Sequence, residues 1–229
     1  MCGRYTVSNP GEILPELLGN DDASEMAARY NVAPTQMAPV VVAGEDGSRR
    51  VVEMRWGLVP YWAKDPEIGS RMINARSESV AEKPAFRDSF GRRRCLVAAD
   101  GFYEWQKVPG GKQPYLIRLE GGAPFAFAGL WDRWRGSRGR VLETFTILTT
   151  TPNSLVTPIH DRMPVILPAE ARAGWLDRDA GPTRLAELLQ PYRAAAMEAV
   201  PVSDFVNRPA NDSLECLQPI LLPQQESLF

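Results

Sequence analysis

The sequence predicts an α+β domain built on a mostly antiparallel, barrel-like sheet flanked by short helices. Three observations carry that expectation. Runs of β-branched and aromatic residues recur at short intervals between turns rich in Gly, Pro and Asp. Only a few segments show helical spacing, and they do not alternate with strands as βαβ units require. A chain of 229 residues with 44% hydrophobic and 24% charged content also has the size and composition to bury one sizeable core. One domain over 1–229 is expected, with Met1 removed and a flexible tail from about 222 to 229.

A first strand through Tyr5–Val7 precedes a helix over Pro10–Leu18, where Ile13, Leu14, Leu17 and Leu18 share one face and Gly19 ends the pattern. Tyr30-Asn31-Val32-Ala33-Pro34 reads as ordered loop. Ala38–Ala43 and Arg49–Arg55 flank Gly44-Glu45-Asp46-Gly47, which predicts a hairpin. Trp56-Gly57-Leu58-Val59-Pro60-Tyr61-Trp62 is dense in aromatics and broken by Gly and Pro, so a loop is expected, its tryptophans either core or a stacking platform. Ser77 caps a short predicted helix toward Glu82, stopped by Pro84. Cys95–Ala99, Phe102–Gln106, Pro114–Leu119 and Phe125–Leu130 form a predicted meander. Val141–Thr150 and Met163–Leu167 read as further strands, and Pro168–Leu176 and Pro182–Leu189 as amphipathic helices. Val200–Val202 and Leu217–Leu221 supply late edge strands.

A net charge of −2 gives no global sign of nucleic-acid binding. Charge is uneven, however: Arg71 to Arg94 holds seven basic residues against three acidic ones, a local +4 that either lines a phosphate groove or forms a solvated face. No apolar run approaches the roughly 20 residues of a membrane helix, and no basic segment with an apolar run opens the chain. A cytoplasmic protein is therefore expected, in the cytosol or nucleoid space of a bacterium. Cys2, Cys95 and Cys216 are odd in number and far apart, with one histidine and no C-x-x-C. That pattern predicts reduced thiols, no metal and no cofactor. A monomer is expected.

Four polar stretches stand out: Met1 to Tyr5, Ile73 to Glu78, Asp100 to Trp105 and Ile159 to Pro164. If Met1 is trimmed, Cys2 carries an α-amine and a thiol on adjacent carbons. Their reference pKa values of about 8 and 8.5 place both nucleophiles near working pH. An aldehyde then forms an imine with the amine, and the thiol closes a five-membered thiazolidine with the advantage of an intramolecular step. The alternative is that a Cys after Met is an accident of sequence. Glu104 alternates with Tyr103 and Trp105, so it faces either solvent or a pocket, where burial would raise its pKa into the range useful for proton transfer. His160, the sole imidazole, lies between Pro158 and Pro164 and is either a structural residue or the neutral-pH base. Asn74 and Arg76 either orient a sugar oxygen and bind phosphate or cap the segment that follows.

Cys-Gly-Arg at the N-terminus, Asn-Ala-Arg-x-Glu, Gly-Phe-x-Glu-Trp and His-Asp-Arg-x-Pro occur in one order along nearly the whole chain. In that order they resemble the SOS-response-associated peptidase family, which crosslinks to abasic sites in single-stranded DNA. The resemblance implies that Cys2 forms a thiazolidine with the ring-opened aldehyde of an abasic deoxyribose and shields the lesion. It implies that Asn74 positions Cys2 or the sugar, that Glu104 transfers protons, and that His160 assists ring opening or reversal. It further implies DNA contacts through Arg4, Arg76, Thr149 and Arg162, with Trp62 as wedge or stacking surface, and a peptidase step that exposes Cys2. The chief rival is a cysteine hydrolase with Cys2 as nucleophile, His160 as base and Asn74 as oxyanion donor.

Overall fold

The computed structural model describes residues 2–19 and 26–222. Met1, and residues 223–229 of the expected tail, lie outside the described residues. In chain order the strands are β1 (Arg4–Val7), β2 (Arg29–Val32), β3 (Met37–Ala43), β4 (Arg49–Trp56), β5 (Asn74–Arg76), β6 (Arg94–Ala99) and β7 (Gly101–Val108). There follow β8 (Gly111–Leu119), β9 (Phe125–Arg135), β10 (Val141–Thr150), β11 (Met163–Pro164), β12 (Ile166–Leu167) and β13 (Met197–Pro201). The α-helices are α1 (Pro10–Leu18), α2 (Arg87–Arg92), α3 (Ala169–Leu176) and α4 (Pro182–Glu187).

The fold is α+β, as the turn spacing predicts. Strands β10, β4, β3, β6 and β9 pair in sequence and β9 returns to β10, closing a five-stranded barrel. Closure leaves no free edge among these strands, which suits their run of buried apolar residues. Every neighbour pair is antiparallel except β10 with β4, which run parallel for only two residue pairs, Thr144 with Arg55 and Phe145 with Trp56. The chain leaves β4 at Gly57, and β5 continues along β10 in the same parallel sense, setting Asn74 beside Ile147 and Arg76 beside Thr149. One strand of the barrel thereby carries the first polar stretch of the site.

The second sheet runs β13-β8-β7-β1-β2 and is antiparallel throughout. It joins the barrel at the corner Asp100-Gly101, between β6 and β7. Buried Asp100 holds that corner by accepting from the backbone N–H groups of Ser8 at 2.7 Å and Asn9 at 3.1 Å, and from the Ser8 and Thr6 hydroxyls. A Cβ at Gly101 would lie 2.8 Å from Leu116 Cδ1 and 2.9 Å from Thr6 Oγ1, so a larger residue at the corner would displace both side chains. The period-two alternation of β7 then sorts its side chains. Phe102 packs edge-on to Phe127 of the barrel, with ring centroids 6.1 Å apart, and Glu104 shares that face. Tyr103 and Trp105 take the other face, against the C-terminal segment, where the Tyr103 hydroxyl donates to Tyr30 O at 2.8 Å and Trp105 Nε1 to Asn207 Oδ1 at 2.7 Å.

Four local expectations are corrected. Residues 29–32 form β2 rather than loop, because Tyr5 and Val7 of β1 offer them an edge. Ser77 to Glu82 makes successive turns and no helix: only Val80 is buried there, too little of an apolar stripe to hold one. The helix comes later, as α2, where Phe90 packs on Trp175 of α3 at 6.1 Å. Met163–Leu167 is two short strands, because Val165 bridges two partners: its N–H donates to Leu148 O and its carbonyl accepts from Ala128 N–H, each at 2.9 Å. The segment thus passes from β10 to β9. The late strand at Leu217–Leu221 reduces to a single bridge between Val202 and Pro219.

Candidate active site

Cys2 lies just before β1 and is fully buried, in the same apolar cluster as Tyr5, Trp56 and Phe127. Asn74, the first residue of β5, reaches across to it: Nδ2 donates to the Cys2 carbonyl at 2.7 Å. The Cys2 sulfur sits 3.8 Å from Arg4 O. Burial first, and the neighbouring Glu104 charge second, push the thiol well above its ordinary range. This corrects the expectation of a thiol poised near working pH, since removing a thiolate from water costs more than any nearby charge returns. Beside Cys2, Asn74 Oδ1 and the Tyr5 hydroxyl are buried without a hydrogen-bond partner among the described residues. Cys2 is among the groups that raise the Tyr5 hydroxyl's pKa, after burial, so Tyr5 borders the same space.

Glu104 resolves the alternatives left by its position in β7. It is 2% exposed and points into the site. Burial is the main cause, with the Asp161 charge adding, that raises its carboxyl to about 7, near neutrality and able to give or take a proton there. His160 Nε2 lies 3.9 Å from Glu104 Oε2. The histidine loop is built by Asn153, whose Oδ1 accepts from the N–H groups of Leu155 at 3.1 Å and Val156 at 3.0 Å, and by the bond from His160 N–H to Val156 O at 2.9 Å. Gln106 of β7 ties the loop back by donating to Pro158 O at 3.1 Å. His160 Nδ1 accepts the Arg162 N–H at 3.0 Å, and burial lowers the ring's pKa although exposed Asp161 Oδ1 stands 2.9 Å from the same nitrogen. Nδ1 thus meets Arg162 and Asp161, and Nε2 is the nitrogen that faces Glu104.

The residues assigned to DNA separate into two groups. Arg162 is held inside the protein: it makes paired bonds to Glu78 at 2.6 and 2.9 Å and a third to Thr149 O at 2.6 Å. Thr149 itself is buried, its carbonyl also taking the Ser77 N–H at 2.9 Å. Arg4 donates to Asn31 Oδ1 and Val206 O, each at 2.9 Å, and to Asn207 O at 3.3 Å. These three brace the walls of the site. Arg76 and Trp62 are exposed, Trp62 by 48%. The turn that presents Trp62 is fixed beneath by Asp132, which is 3% exposed and accepts the Tyr61 N–H at 3.0 Å, and by a glycine crossing in which a Cβ at Gly57 would fall 2.5 Å from Gly69 O.

Glu78, Gln106, Asn153 and Asp132 carry no role in the sequence reading. Glu78 is the exception in having a signal, since it is the last residue of Asn-Ala-Arg-x-Glu and its partner Arg162 the third of His-Asp-Arg-x-Pro. Among the described residues no group of three or more His, Cys, Asp or Glu side chains converges on a metal position, and no helix is long and apolar enough to cross a membrane.

A sequence profile of the SOS response associated peptidase (SRAP) family matches residues 1–209. The chain is 45% identical to the abasic site processing protein YoqW of Bacillus subtilis, over 95% of this chain and 99% of that one. It is 38% identical to the abasic site processing protein HMCES of Gallus gallus, over 84% of this chain and 66% of that one. A crystal structure of a protein from Bacteroides thetaiotaomicron superposes with a TM-score of 0.86 at 30% identity, covering 96% of this chain and all of that one. Profile, relatives and shape agree over the stretch that holds Cys2, Asn74, Glu104 and His160, and the chain is a member of the SRAP family.

Proposed function

We propose that the protein captures abasic sites in single-stranded DNA by forming a thiazolidine through Cys2 once Met1 is removed. The observation that carries the reading is the gathering of Cys2, Asn74, Glu104 and His160 from four separate stretches into one site around the buried Cys2 and Glu104. The freed amine of Cys2 adds to the C1′ aldehyde of the ring-opened sugar. Glu104, protonated about half the time near neutrality, gives a proton to the departing hydroxyl, water leaves and an imine remains. The Cys2 sulfur then adds to the imine carbon while its proton passes to the ring nitrogen, with Glu104 as the relay. No further reactant is needed. Asn74 fixes the Cys2 carbonyl and so the direction of both nucleophiles. His160, its Nε2 facing Glu104, serves as partner in opening the sugar ring.

A hydrolase built on the same residues fits less well. The thiol is pushed up rather than down, His160 Nε2 addresses Glu104, and Asn74 Nδ2 already serves the Cys2 carbonyl instead of standing free for an oxyanion. Single-stranded substrate suits a site whose nucleotide needs no extraction from a duplex. Trp62 supplies a stacking surface and Arg76 a phosphate contact. The name of the family implies that the same site exposes Cys2 by removing Met1.

The test is incubation of the Met1-free protein with a single-stranded oligonucleotide carrying one abasic site, read by denaturing gel and intact mass. A denaturation-resistant adduct is expected, absent in Cys2→Ser and in a form that keeps Met1. Full adduct formation by the Met1-retaining form would overturn the aminothiol chemistry.

A further inference from the structure

The site leaves unused much of the basic stretch from Arg71 to Arg94. Three of its arginines, Arg92, Arg93 and Arg94, run from the end of α2 into the start of β6. There they line a groove of about 460 Å³ together with Arg50 of β4, Arg178 after α3, and Glu45 in the β3–β4 turn. Their positions differ in kind. Arg94 is buried and spends its guanidinium on the carbonyls of Trp175, Phe90 and Asp177, so it is part of the frame. Arg50 and Arg92 are exposed and have no ion pair among the described residues. Arg178 has one, a 3.8 Å contact to Glu45, whose side chain is 95% exposed. Arg93 is half-buried and pairs with Asp132 at 3.3 Å, yet its Nη2 is buried without a hydrogen-bond partner among the described residues.

Even with Arg94 set aside, four arginines around one cleft whose exposed carboxylate is Glu45 repel one another, and an anion seated among them removes that repulsion. We infer that this groove is a phosphate site that takes a backbone phosphate of a DNA strand, at a distance from the reacting sugar. Two features favour a strand over a free ion. Arg93 connects the groove to the exposed aromatic turn: its guanidinium lies 5.9 Å from the centroid of the Tyr61 ring, and Asp132 holds both Arg93 and the Tyr61 N–H, next to Trp62. The groove also sits at the Arg94 end of β6, whereas the corner leading to Glu104 follows Ala99, six residues along. That strand spans about 17 Å, so the groove would contact the strand several nucleotides away from the lesion.

The inference rests on the reading of the protein as a binder of single-stranded DNA, and two separate measurements keep the readings apart. The first is binding of an undamaged 20-nucleotide strand to wild type and to Arg50→Glu/Arg92→Glu, as affinity against salt. The second is adduct yield on a five-nucleotide strand with a central abasic site. The double variant is expected to lower the salt slope on the long strand by about 1.4, two contacts at ~0.7 each for a single strand, and to leave adduct yield on the short strand unchanged. Arg50→Gln/Arg92→Gln, which removes charge without reversing it, is expected to give the same direction with a smaller loss of affinity. An unchanged slope on the long strand overturns the groove. So does an equal loss of adduct on the short strand, which would place these arginines at the reacting sugar. Chemical-shift changes with inorganic phosphate at the groove, without any slope change, would make it a site for free phosphate and also overturn the inference. Failure of wild type to crosslink the short strand would overturn the proposed chemistry instead, while the slope comparison still judges the groove.

Discussion

The two walls of the site handle charge in opposite ways. The wall from the open sheet, with Cys2 before β1 and Glu104 on β7, is stripped of water, and burial raises both groups, holding the thiol neutral and bringing the carboxyl to about 7. The wall from the barrel edge, with Asn74 on β5 and the loop carrying His160, is braced by a paired charge: Arg162 lowers the carboxyl of Glu78 and pins it to β10. Desolvation makes groups reactive, because a buried carboxyl near neutrality exchanges protons at little cost. Pairing makes groups rigid, because a bidentate arginine has few other places to go. The proposed chemistry needs one wall of each kind.

The largest effect that tests this division comes from Glu104→Gln. The rate of adduct formation is expected to fall about 10²- to 10⁴-fold, the usual worth of a positioned acid–base group. Wild type should show an inflection near pH 7 that the variant lacks. Stability should move the other way. Below pH 4.5 the carboxyl is protonated folded and unfolded alike, whereas between 4.5 and about 7 the unfolded chain ionises first and wild type loses stability as pH rises. At pH 8 the variant is therefore expected to exceed wild type by on the order of 1–3 kcal/mol in chemical denaturation, and at pH 4 to match it. A variant that slows the reaction but is less stable at pH 8 would show that Glu104 is held by pairing, and the contrast between walls would fail.

The same contrast explains how much was legible in the sequence. The reacting wall was readable in type, because a carboxyl between two aromatics on a strand and a cysteine after Met are unusual in themselves. Their facing direction was not, since period two offers two faces and only the packing of Phe102 on Phe127 selects one. The thiol's environment was misread for a related reason: its reference pKa is that of an exposed group, and burial depends on the whole fold. The bracing wall was legible only as motifs. The pairing of Arg162 with Glu78, 84 residues away, has no local signal, because it is set by β5 lying along β10. Barrel closure through the two-pair contact of β4 and β10 was equally beyond reach, because parallel pairing leaves no local turn to read.

On the bracing wall the expected effects are smaller and differently shaped. Arg162→Ala should cost about 2 kcal/mol through its lost charged hydrogen bonds, and slow the adduct by loosening the His160 loop. Arg162→Lys should recover little, lacking the planar fork that holds Glu78 and Thr149 together. Glu78→Gln separates the pairing itself. A carboxyl with a lowered pKa contributes above its unfolded value of 4.5 and ceases to contribute as pH falls through the folded one. The variant and wild type should thus differ by up to about 1 kcal/mol at pH 7, a modest figure because Glu78 is half exposed, and converge under acid.

Arg76→Ala is the smallest change and the one that tells bracing from contact. Arg76 is exposed on the same strand as Asn74 and two residues before Glu78, so sequence position does not separate it from Arg162 by role. Exposure does: an arginine in water that meets a phosphate releases a counterion, whereas one already spent on Glu78 and Thr149 releases none. Loss of Arg76 is expected to weaken binding of undamaged single-stranded DNA by less than tenfold and to lower the salt slope by about 0.7, with thermal stability unchanged. Arg162→Ala, in the same assay, should lower stability and leave the slope as it was. If the two variants shift the slope equally, Arg162 leaves Glu78 for phosphate when DNA arrives, and the barrel wall would then be part of the binding surface.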